Sequence, residues 1–551
     1  MTAFKFRIPA RRALLNAVLA LTLAACGGGG DGSPGPSGAP GLAGTPGAAG
    51  APGPARPVAL TVTAPELAGA NCASGGLRIQ IGADGNGNGT LDASEVSSTQ
   101  FACNTAPVPP ASTSSGTITA VVTGLNAGKT ASLVVNGGAP VTITANGFTV
   151  LAGGVAAGSA YTLAISGTPA RQTCGLSGGT TFLEVVDGVA TIILGSVVGG
   201  VVAVPVLTCT DNPMFAYVAN KNSGNISAYS INRSTGALTG VAGSPFAVGS
   251  NPQSVTVSPN SKFAYVANVV SDSVSAFSIN PSTGALTAMA GSPFANGAGT
   301  NPISVTVDAS GRFAYVANFS SANVSAYSID PATGVLTAVA GSPFANGTGT
   351  NPVSVTVDAS GRFAYVANLG SNNVSAYSIN SSTGALTILT DSPFAAASSP
   401  QSVTVDASGK FAYVTNYASD NVSAYRIDQA TGVLTALMGS PFAAGTSPSS
   451  VVVDPSSKFA YVANFNSNNV SAYSINPLTG TLTALAGSPF AAGVQPTSVT
   501  VDASGKFAYA ANFSSGNVSA YSINPATGAL TAAGTFAAVE RPASIVISQR
   551  P

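Results

Sequence analysis

Phe313-Ala-Tyr-Val-Ala-Asn318, followed by Val324-Ser-Ala-Tyr-Ser-Ile329, is the stretch of sequence that decides the fold. Both segments are short and rich in β-branched and aromatic residues, which predicts strands. A fixed period near 50 residues indicates one supersecondary unit repeated in a ring or along a solenoid. The first string recurs with small changes at spacings of 48, 50, 50, 48, 48 and 48 residues, beginning at Phe215, Phe263, Phe313, Phe363, Phe411, Phe459 and Phe507.

Each repeat contains four strand-like pieces, and four strands per unit are typical of a β-propeller blade. In the third repeat these pieces are Ser304–Val307, Phe313–Asn318, Val324–Ile329 and Gly334–Thr337. The first repeat lacks the first piece, and Ser544-Ile-Val-Ile547 occurs alone near the end of the chain. Residues 211–551 are therefore predicted to form a closed seven-bladed propeller whose last strand completes the first blade. A solenoid would instead need capping repeats.

The quoted motifs, with Pro-x-Ser-Val-Thr-Val-Asp segments and Asp/Asn-Pro-x-Thr-Gly turns, resemble the YVTN-type repeats of the lactonase family. The resemblance covers residues 213–551 and implies a seven-bladed propeller like those of 6-phosphogluconolactonases and muconate-lactonizing enzymes. It also implies a choice of roles, because the same repeat builds non-enzymatic surface-layer and cell-wall proteins. The lactonizing branch uses His, Glu and Arg at the ring centre, and this chain has no His.

Composition excludes several function classes. The 551 residues carry a formal net charge of zero, only 7% are charged, and no basic cluster occurs, which argues against nucleic-acid binding. The missing His excludes Ser-His-Asp and Cys-His catalysis. Charged pairs recur between the first and second strands of five repeats and are expected to be turn-formers and exposed pairs of little energetic value. They are Asp308 with Arg312, Asp358 with Arg362, Asp406 with Lys410, Asp454 with Lys458, and Asp502 with Lys506.

The opposite rim carries sparse, irregular charges: Lys221, Asp272, Asp391, Asp420, and Glu540 beside Arg541. Glu540 is the only Glu of the propeller, so Glu540 and Arg541 are the one candidate catalytic pair; divergence where the ring closes is the alternative. The rim is otherwise Ser, Asn, Gly and Phe, which suits recognition of a glycan or a surface protein. The near-identical blades favour a binding, adhesion or structural module over an enzyme. The alternative is an exported lactonase-type hydrolase acting on a sugar lactone.

Residues 1–25 have the pattern of a signal peptide, with a basic start and an apolar run too short to span a bilayer. The run ends in Leu23-Ala-Ala-Cys26, which resembles the lipobox of bacterial lipoproteins and implies acylation of Cys26. By the same resemblance, Gly27 after the Cys implies the outer membrane. The sequence thus predicts an envelope protein held to the membrane by lipid, with an ordinary secretory signal as the alternative.

Within the following segment, residues 26–57, glycine falls at every third position from Gly32 to Gly53, and the eight triplets, which end at Ala55, contain six prolines. This pattern resembles collagen, in which only Gly fits at the axis of three wound chains. A homotrimer and a monomeric polyproline-like stalk remain equally open. Either form is extended, at roughly 3.1 Å per residue, and would place the rest of the chain about 70 Å from the membrane.

Residues 58–105 contain a candidate Ca²⁺ site. The spacing of Asp84, Asn86, Asn88, Thr90, Asp92 and Glu95 matches a calcium loop in which oxygen ligands alternate and Gly89 permits the bend. The flanks predict a strand rather than a long helix, so the segment resembles a small disulfide-closed calcium-loop module of bacterial surface lipoproteins. The alternative is an Asn-Gly turn with surface acids.

The remaining four cysteines allow three pairings, of which Cys72–Cys103 and Cys174–Cys209 keep each bond within one predicted module. Residues 106–210 alternate apolar and polar side chains, as in Ala131–Val135 and Tyr161–Ile165, and predict a β-sandwich. This module resembles the Ig-like spacers of bacterial surface proteins. The fold class expected for the whole chain is therefore all-β.

Overall fold

A computed structural model describes residues 58–66, 70–71, 76–84, 91–103, 115–156, 161–169, 171–177, 183–186, 189–194 and 206–549. The predicted signal peptide, Cys26, the Gly-X-Y segment and Cys72 lie outside these residues. The described residues form strands and turns without an α-helix, which confirms the all-β class. In this part of the chain no helix is long and apolar enough to cross a membrane. The chain divides into two compact units, residues 1–110 and 111–551.

The first unit contains one antiparallel sheet of three strands in the order β1-β2-β3. The strands are β1 (Val58–Glu66), β2 (Gly76–Asp84) and β3 (Val96–Cys103). The pairing of β2 with β3 shifts register after Ile81. Gly82 is required there, because a Cβ at this position would lie 1.9 Å from the carbonyl oxygen of Glu95.

The second unit begins with two sheets that share a core. Their orders are β10-β11-β8-β5-β6 and β7-β4-β12-β9. Buried side chains of both sheets, such as Leu133 and Leu207, pack into one cluster. Cys174 and Cys209 lie opposite each other on β9 and β12 and form the predicted disulfide. The strands are β4 (Ser115–Thr123), β5 (Ala131–Val135), β6 (Val141–Ile143), β7 (Gly147–Ala156), β8 (Tyr161–Gly167), β9 (Gln172–Ser177), β10 (Leu183–Val186), β11 (Val189–Leu194) and β12 (Val206–Asp211).

Residues 214–549 form seven antiparallel blades, numbered here from the blade that contains Phe215. The inner strands of blades 1 to 7 are Pro542–Gln549, Pro252–Val257, Pro302–Val307, Pro352–Val357, Pro400–Val405, Pro448–Val453 and Pro496–Val501. The second strands are Met214–Asn220, Phe263–Asn268, Phe313–Asn318, Phe363–Asn368, Phe411–Asn416, Phe459–Asn464 and Phe507–Asn512. The third strands are Asn225–Ile231, Ser273–Ile279, Asn323–Ile329, Asn373–Ile379, Asn421–Ile427, Asn469–Ile475 and Asn517–Ile523. The fourth strands are Leu238–Gly240, Leu286–Ala288, Leu336–Ala338, Leu386–Ile388, Leu434–Ala436, Leu482–Ala484 and Leu530–Ala537.

A short fifth strand, which the sequence analysis did not predict, pairs with the third strand in blades 1 to 6, and in blade 7 the fourth strand itself extends that far. These strands are Phe246–Ala247, Phe294–Ala295, Phe344–Ala345, Phe394–Ala395, Phe442–Ala443 and Phe490–Ala491. The predicted closure is confirmed, since the last strand pairs with the second strand of blade 1 from Met214↔Gln549 to Ala219↔Ser544.

Neighbouring blades are joined by a repeated tyrosine and glycine contact. The Tyr of each second strand is buried, and its hydroxyl donates to the carbonyl of a turn Gly in the next blade at 2.8–3.1 Å. The same glycine has a φ of 73–78° and rests against the Phe that begins the neighbouring second strand. A side chain is therefore excluded both by backbone conformation and by the ring. The repeated Tyr and Phe are blade-packing residues, as the sequence indicated.

The prediction of exposed Asp–Arg and Asp–Lys pairs is wrong. The five aspartates are 0–5% exposed. Asp308, for example, accepts hydrogen bonds from the backbone N–H groups of Arg312 and Phe313 at 2.8 Å each, and the Arg312 guanidinium lies over the Phe313 ring. The carboxylate satisfies the donors of its own turn, so the residue is a buried turn cap and not half of a surface ion pair.

The two sheets formed by β4 to β12, which we call the sandwich, contact the propeller at the rim that carries these turns. The guanidinium of Arg171 donates to the carbonyl of Ala503 in blade 7 at 2.6 Å. The guanidinium of Arg233, in a turn of blade 1, donates to the carbonyl of Asn212. We call this rim the sandwich rim and the opposite one the mouth rim.

Candidate functional site

The seven inner strands line a central channel whose walls are mostly polar and carry no charged side chain. A cavity of about 140 Å³ is bounded by two consecutive residues of every inner strand. The first of these varies between blades, whereas the second is always serine. The varying residues are Gln253, Ile303, Val353, Gln401, Ser449, Thr497 and Ala543, and the serines, which we call the serine ring, are Ser254, Ser304, Ser354, Ser402, Ser450, Ser498 and Ser544.

Two further sets of residues form the channel mouth. The first set consists of the residue that precedes the proline of each inner strand, and its φ is 51–61°. The second set consists of the residue that follows the second strand of each blade. In every blade the N–H of the second residue donates to the carbonyl of the first; in blade 3, for example, Phe319 donates to Asn301 at 3.0 Å. The first set, the pre-proline ring, is Asn251, Asn301, Asn351, Ser399, Ser447, Gln495 and Arg541. The second set, the mouth ring, is Lys221, Val269, Phe319, Leu369, Tyr417, Phe465 and Phe513.

Aromatic and cationic residues are grouped on one side of the channel mouth. Tyr417, Phe465 and Phe513 follow one another in blades 5 to 7, with ring centroids 6.1 and 6.4 Å apart and tilted planes. The Arg541 guanidinium lies over the Phe513 ring at 5.3 Å from its centroid. The backbone N–H of Lys221 donates to the carbonyl of Arg541 at 3.0 Å. Three half-buried aromatic rings therefore lie beside two cations. We call these five residues the aromatic–cation arc: Tyr417, Phe465, Phe513, Arg541 and Lys221.

The two cations raise the electrostatic potential at one side of the mouth. Burial, and then the charge of Arg541, lower the pKa of Lys221 below its ordinary value. Asp272 and Asp420 also lie on the mouth rim, but their carboxylates accept the backbone N–H groups of Asn301 and Ser447 at 2.7 Å. An anionic ligand would relieve the repulsion between the two cations.

The predicted catalytic pair lies at this mouth. Glu540 and Arg541 are both exposed, and the Arg541 side chain is placed against Phe513. Lactone hydrolysis requires a positioned base together with stabilisation of the oxyanion. Glu540 is the acidic side chain next to the arc, and it stands outside the buried part of the channel.

The predicted calcium ligands are only partly described. Asp84 ends β2, whereas Asn86, Asn88 and Thr90 lie outside the described residues. Asp92 and Glu95 form a turn, in which the N–H of Glu95 donates to the carbonyl of Asp92 at 2.9 Å and the N–H of Asp92 donates to the Glu95 carboxylate at 3.1 Å. Among the described residues, no three His, Cys, Asp or Glu side chains come together as a metal site.

The sequence does not predict the arc as a unit. It indicates Lys221 and Arg541 as irregular charges and the Phe residues of this rim as suited to recognition of a glycan or a protein, but no local pattern joins the two groups. A signal was present, because the position after each string is Lys, Val, Phe, Leu, Tyr, Phe and Phe in turn, whereas the Asn before it is the same in all seven repeats. Variation directly after an invariant strand marks a surface that the repeats do not need for packing.

Comparison with known proteins gives the family. A domain of unknown function (DUF7151) matches residues 59–103. The family described as lactonase, 7-bladed beta-propeller, matches residues 215–350, 341–446 and 436–547, which together cover more than half of the chain. No curated protein matches the chain.

Solved structures resemble the chain at the level of the fold. A proposed 6-phosphogluconolactonase from Bacteroides fragilis is 24% identical, with a TM-score of 0.54 over 61% of this chain and 98% of its own. A second, from Bacteroides uniformis, is 19% identical, with a TM-score of 0.55 over 61% and 100%. The periplasmic gluconolactonase of Pseudomonas aeruginosa is 19% identical, with a TM-score of 0.54 over 62% and 100%. The family match and the seven closed blades agree, and the chain belongs to the lactonase family of seven-bladed β-propellers.

Proposed function

We propose that the propeller is a binding module that holds an acidic carbohydrate at the channel mouth. The observation that carries the proposal is the aromatic–cation arc, in which Tyr417, Phe465 and Phe513 adjoin Arg541 and Lys221. Aromatic faces pack against the C–H faces of sugar rings, and a guanidinium binds a carboxylate through two parallel hydrogen bonds. A chain of uronic acid residues offers both groups in alternation.

The proposal favours binding over catalysis because the arc supplies positive charge and apolar faces but no buried base. Glu540 is exposed, and solvent around a carboxylate weakens its use as a general base. The serine and amide groups deeper in the channel are neutral hydrogen-bonding groups. These features suit recognition of a polyhydroxy acid without turnover.

The test is isothermal titration of the full chain with trigalacturonate and with neutral galactotriose. We expect binding of the acid only. Arg541→Gln should weaken binding about tenfold to a hundredfold, since a charge-assisted hydrogen bond contributes roughly 1.5–3 kcal/mol. Phe465→Ala should also weaken binding. Leu369→Ala is the matched control, because Leu369 has the same place in the mouth ring outside the arc and should leave the affinity unchanged. Equal affinity for both sugars would refute the proposal.

A lactonase activity is the second candidate. It is supported by the family match and by the gluconolactonase and 6-phosphogluconolactonase names of the fold relatives. The product of such a reaction is a sugar acid, which the same two cations would bind. The test is hydrolysis of a panel of sugar lactones, including 6-phosphogluconolactone, by the full chain and by Glu540→Gln. Turnover that disappears in this variant would establish the enzyme and assign Glu540 as its base; no turnover would leave binding as the function.

We also propose that the module is displayed at the cell envelope through the acylated Cys26 and the Gly-X-Y segment. The placement of the sandwich supports this arrangement, because Arg171 and Arg233 join it to the rim opposite the mouth. The mouth is then left open to ligands on the side away from the sandwich. Metabolic labelling with a palmitate analogue should mark the wild-type protein and not Cys26→Ala, and labelling of both equally would exclude the lipid anchor.

For the first unit we propose a structural Ca²⁺ held by Asp84, Asn86, Asn88, Thr90, Asp92 and Glu95. The turn that brings Asp92 to Glu95 supports the proposal, because these two residues supply the end of the predicted loop. Extracellular loops of this kind bind at roughly 10⁻⁴–10⁻³ M. Calcium should raise the thermal midpoint of the wild-type unit, and Glu95→Gln should lose most of that rise. An unchanged midpoint in the wild type would contradict the site.

A further inference from the structure

The serine ring accepts backbone N–H groups at the free edges of the inner strands, and its seven hydroxyl protons remain available. Each inner strand has a free edge next to the propeller axis, so the N–H groups on that edge need hydrogen-bond acceptors. In every blade the N–H of the residue after the ring serine donates to the serine hydroxyl of the preceding blade at 3.2–3.4 Å. These seven bonds form a closed ring around the axis, because Ile545 of blade 1 donates to Ser498 of blade 7 and Val255 of blade 2 donates to Ser544 of blade 1.

A hydroxyl has one proton and two lone pairs. Each ring serine uses a lone pair to accept the neighbouring N–H, so its proton stays available. Within the described residues, none of these protons has a protein acceptor. The hydroxyls of Ser449 and Thr497, one position nearer the mouth, donate their own protons to backbone carbonyls. Seven O–H donors therefore face one cavity of about 140 Å³.

The free donors that line the cavity favour an anion. The lining contains no carboxylate, and Lys221 and Arg541 share the mouth rim with the acids Asp272, Asp420 and Glu540, so the charge of the rim favours neither sign. A cation in the cavity would meet hydroxyl lone pairs and the amide oxygens of Gln253 and Gln401, but no negative charge. An anion on the axis would instead accept from several hydroxyls at once, and converging O–H groups fixed by the fold need little rearrangement to bind it.

We propose that the serine ring is a second binding position, which holds a monovalent anion on the propeller axis. Its ligand class is a halide or a single carboxylate group, both of which accept several hydrogen bonds and fit the cavity. The site is independent of the acidic carbohydrate proposed at the mouth, because it needs only the inner strands. A carboxylate of that carbohydrate could reach the same donors, and the experiment separates the two sources.

The first test uses bromide as the probe. Crystals of the full chain soaked in sodium bromide should show an anomalous peak on the axis, within about 3.5 Å of the ring hydroxyls. Bromide sites on the surface with none on the axis would overturn the proposal. Repeating the soak with saturating galacturonate distinguishes the sources: displacement of the axial bromide means that a carboxylate occupies the ring, and retention means that the ring holds a separate inorganic anion.

The second test is made in solution with matched variants. Ser354→Ala with Ser450→Ala removes two donors but also two bonds between blades, so the readout is the change in thermal midpoint caused by bromide rather than the midpoint itself. Ser354→Thr with Ser450→Thr keeps both hydroxyls and is the control. We expect the apparent bromide affinity to fall at least tenfold in the alanine variant and to persist in the threonine variant. A bromide response that is the same in both variants would contradict an anion site at the ring.

Discussion

Substituting Gly480 with Ala tests how the blades are locked together. Gly480 lies in the turn between the third and fourth strands of blade 6, with a φ of +76°. A Cβ there would lie 2.3 Å from Cδ1, 2.6 Å from Cε1 and 2.7 Å from Cγ of Phe411 in blade 5. Phe411 is 2% exposed, so its ring has no space into which to move. The substitution therefore combines backbone strain with a collision between two blades.

Gly505 is the matched control, because its φ is +69° and a Cβ there would have no neighbour within 4 Å. Left-handed backbone costs an alanine about 1–2 kcal/mol, of which the stiffer unfolded chain returns roughly 0.4–1 kcal/mol. Gly505→Ala should thus lower the free energy of unfolding by about 1 kcal/mol. Gly480→Ala should lower it by a further 1–3 kcal/mol, roughly the cost of overpacking a core.

The assay is urea unfolding of the full chain, followed by circular dichroism and by tyrosine fluorescence. Coincident transitions would justify a two-state comparison of the variants. The difference between the two variants isolates the contact between Gly480 and Phe411, since both carry the same backbone strain. Equal midpoints for the two variants would refute the view that this turn and ring join neighbouring blades tightly.

Three further predictions follow from buried groups. Asp406→Ala removes the acceptor for the backbone N–H groups of Lys410 and Phe411, each 2.9 Å away. The free energy of unfolding, measured by urea titration, should fall by about 2–3 kcal/mol. A fall of less than about 0.5 kcal/mol would support the interpretation of Asp406 as half of a surface ion pair. Burial raises the pKa of Tyr327, Tyr425 and Tyr521 to about 12, so the native state keeps protons that the unfolded state releases above about pH 10. Stability should therefore be constant below about pH 9 and fall between pH 10 and 12, with phenolate absorbance of these buried groups rising together with unfolding; phenolate formation in the folded protein near pH 10 would contradict their burial. Cys174→Ala with Cys209→Ala should destabilise the sandwich by about 4 kcal/mol, since the bond closes a loop with a sequence separation of 35 residues. An unchanged protease sensitivity would show that the bond is dispensable.

The sequence predicted the propeller well because its signals are local and repeated. The recurrence of Phe313-Ala-Tyr-Val-Ala-Asn318 sets the blades, and the isolated Ser544-Ile-Val-Ile547 piece shows how the ring closes. The alternation in residues 106–210 and the pairing of Cys174 with Cys209 were likewise visible before the structure. In each case short-range pattern alone determines strand type, and the repeat number determines the architecture.

The site could not be predicted in the same way, because its residues come together only when the ring closes. Lys221 and Arg541 are 320 positions apart in the chain but share a backbone hydrogen bond in blade 1. The role of Asp308 was misjudged for a related reason: its partners are backbone N–H groups, which have no signature in the sequence, whereas Arg312 nearby suggested an ion pair. The serine ring looks like ordinary strand sequence until seven copies face one axis.

The most direct test of the proposed function is a crystal structure of the full chain with trigalacturonate. The account predicts a sugar ring stacked on Phe465 or Phe513 and a carboxylate about 2.7–2.9 Å from the Arg541 guanidinium, with Lys221 as its second cation. Density for the sugar on the sandwich rim or on the outer faces of the blades would contradict the account. So would a mouth that stays free of sugar at saturating concentrations.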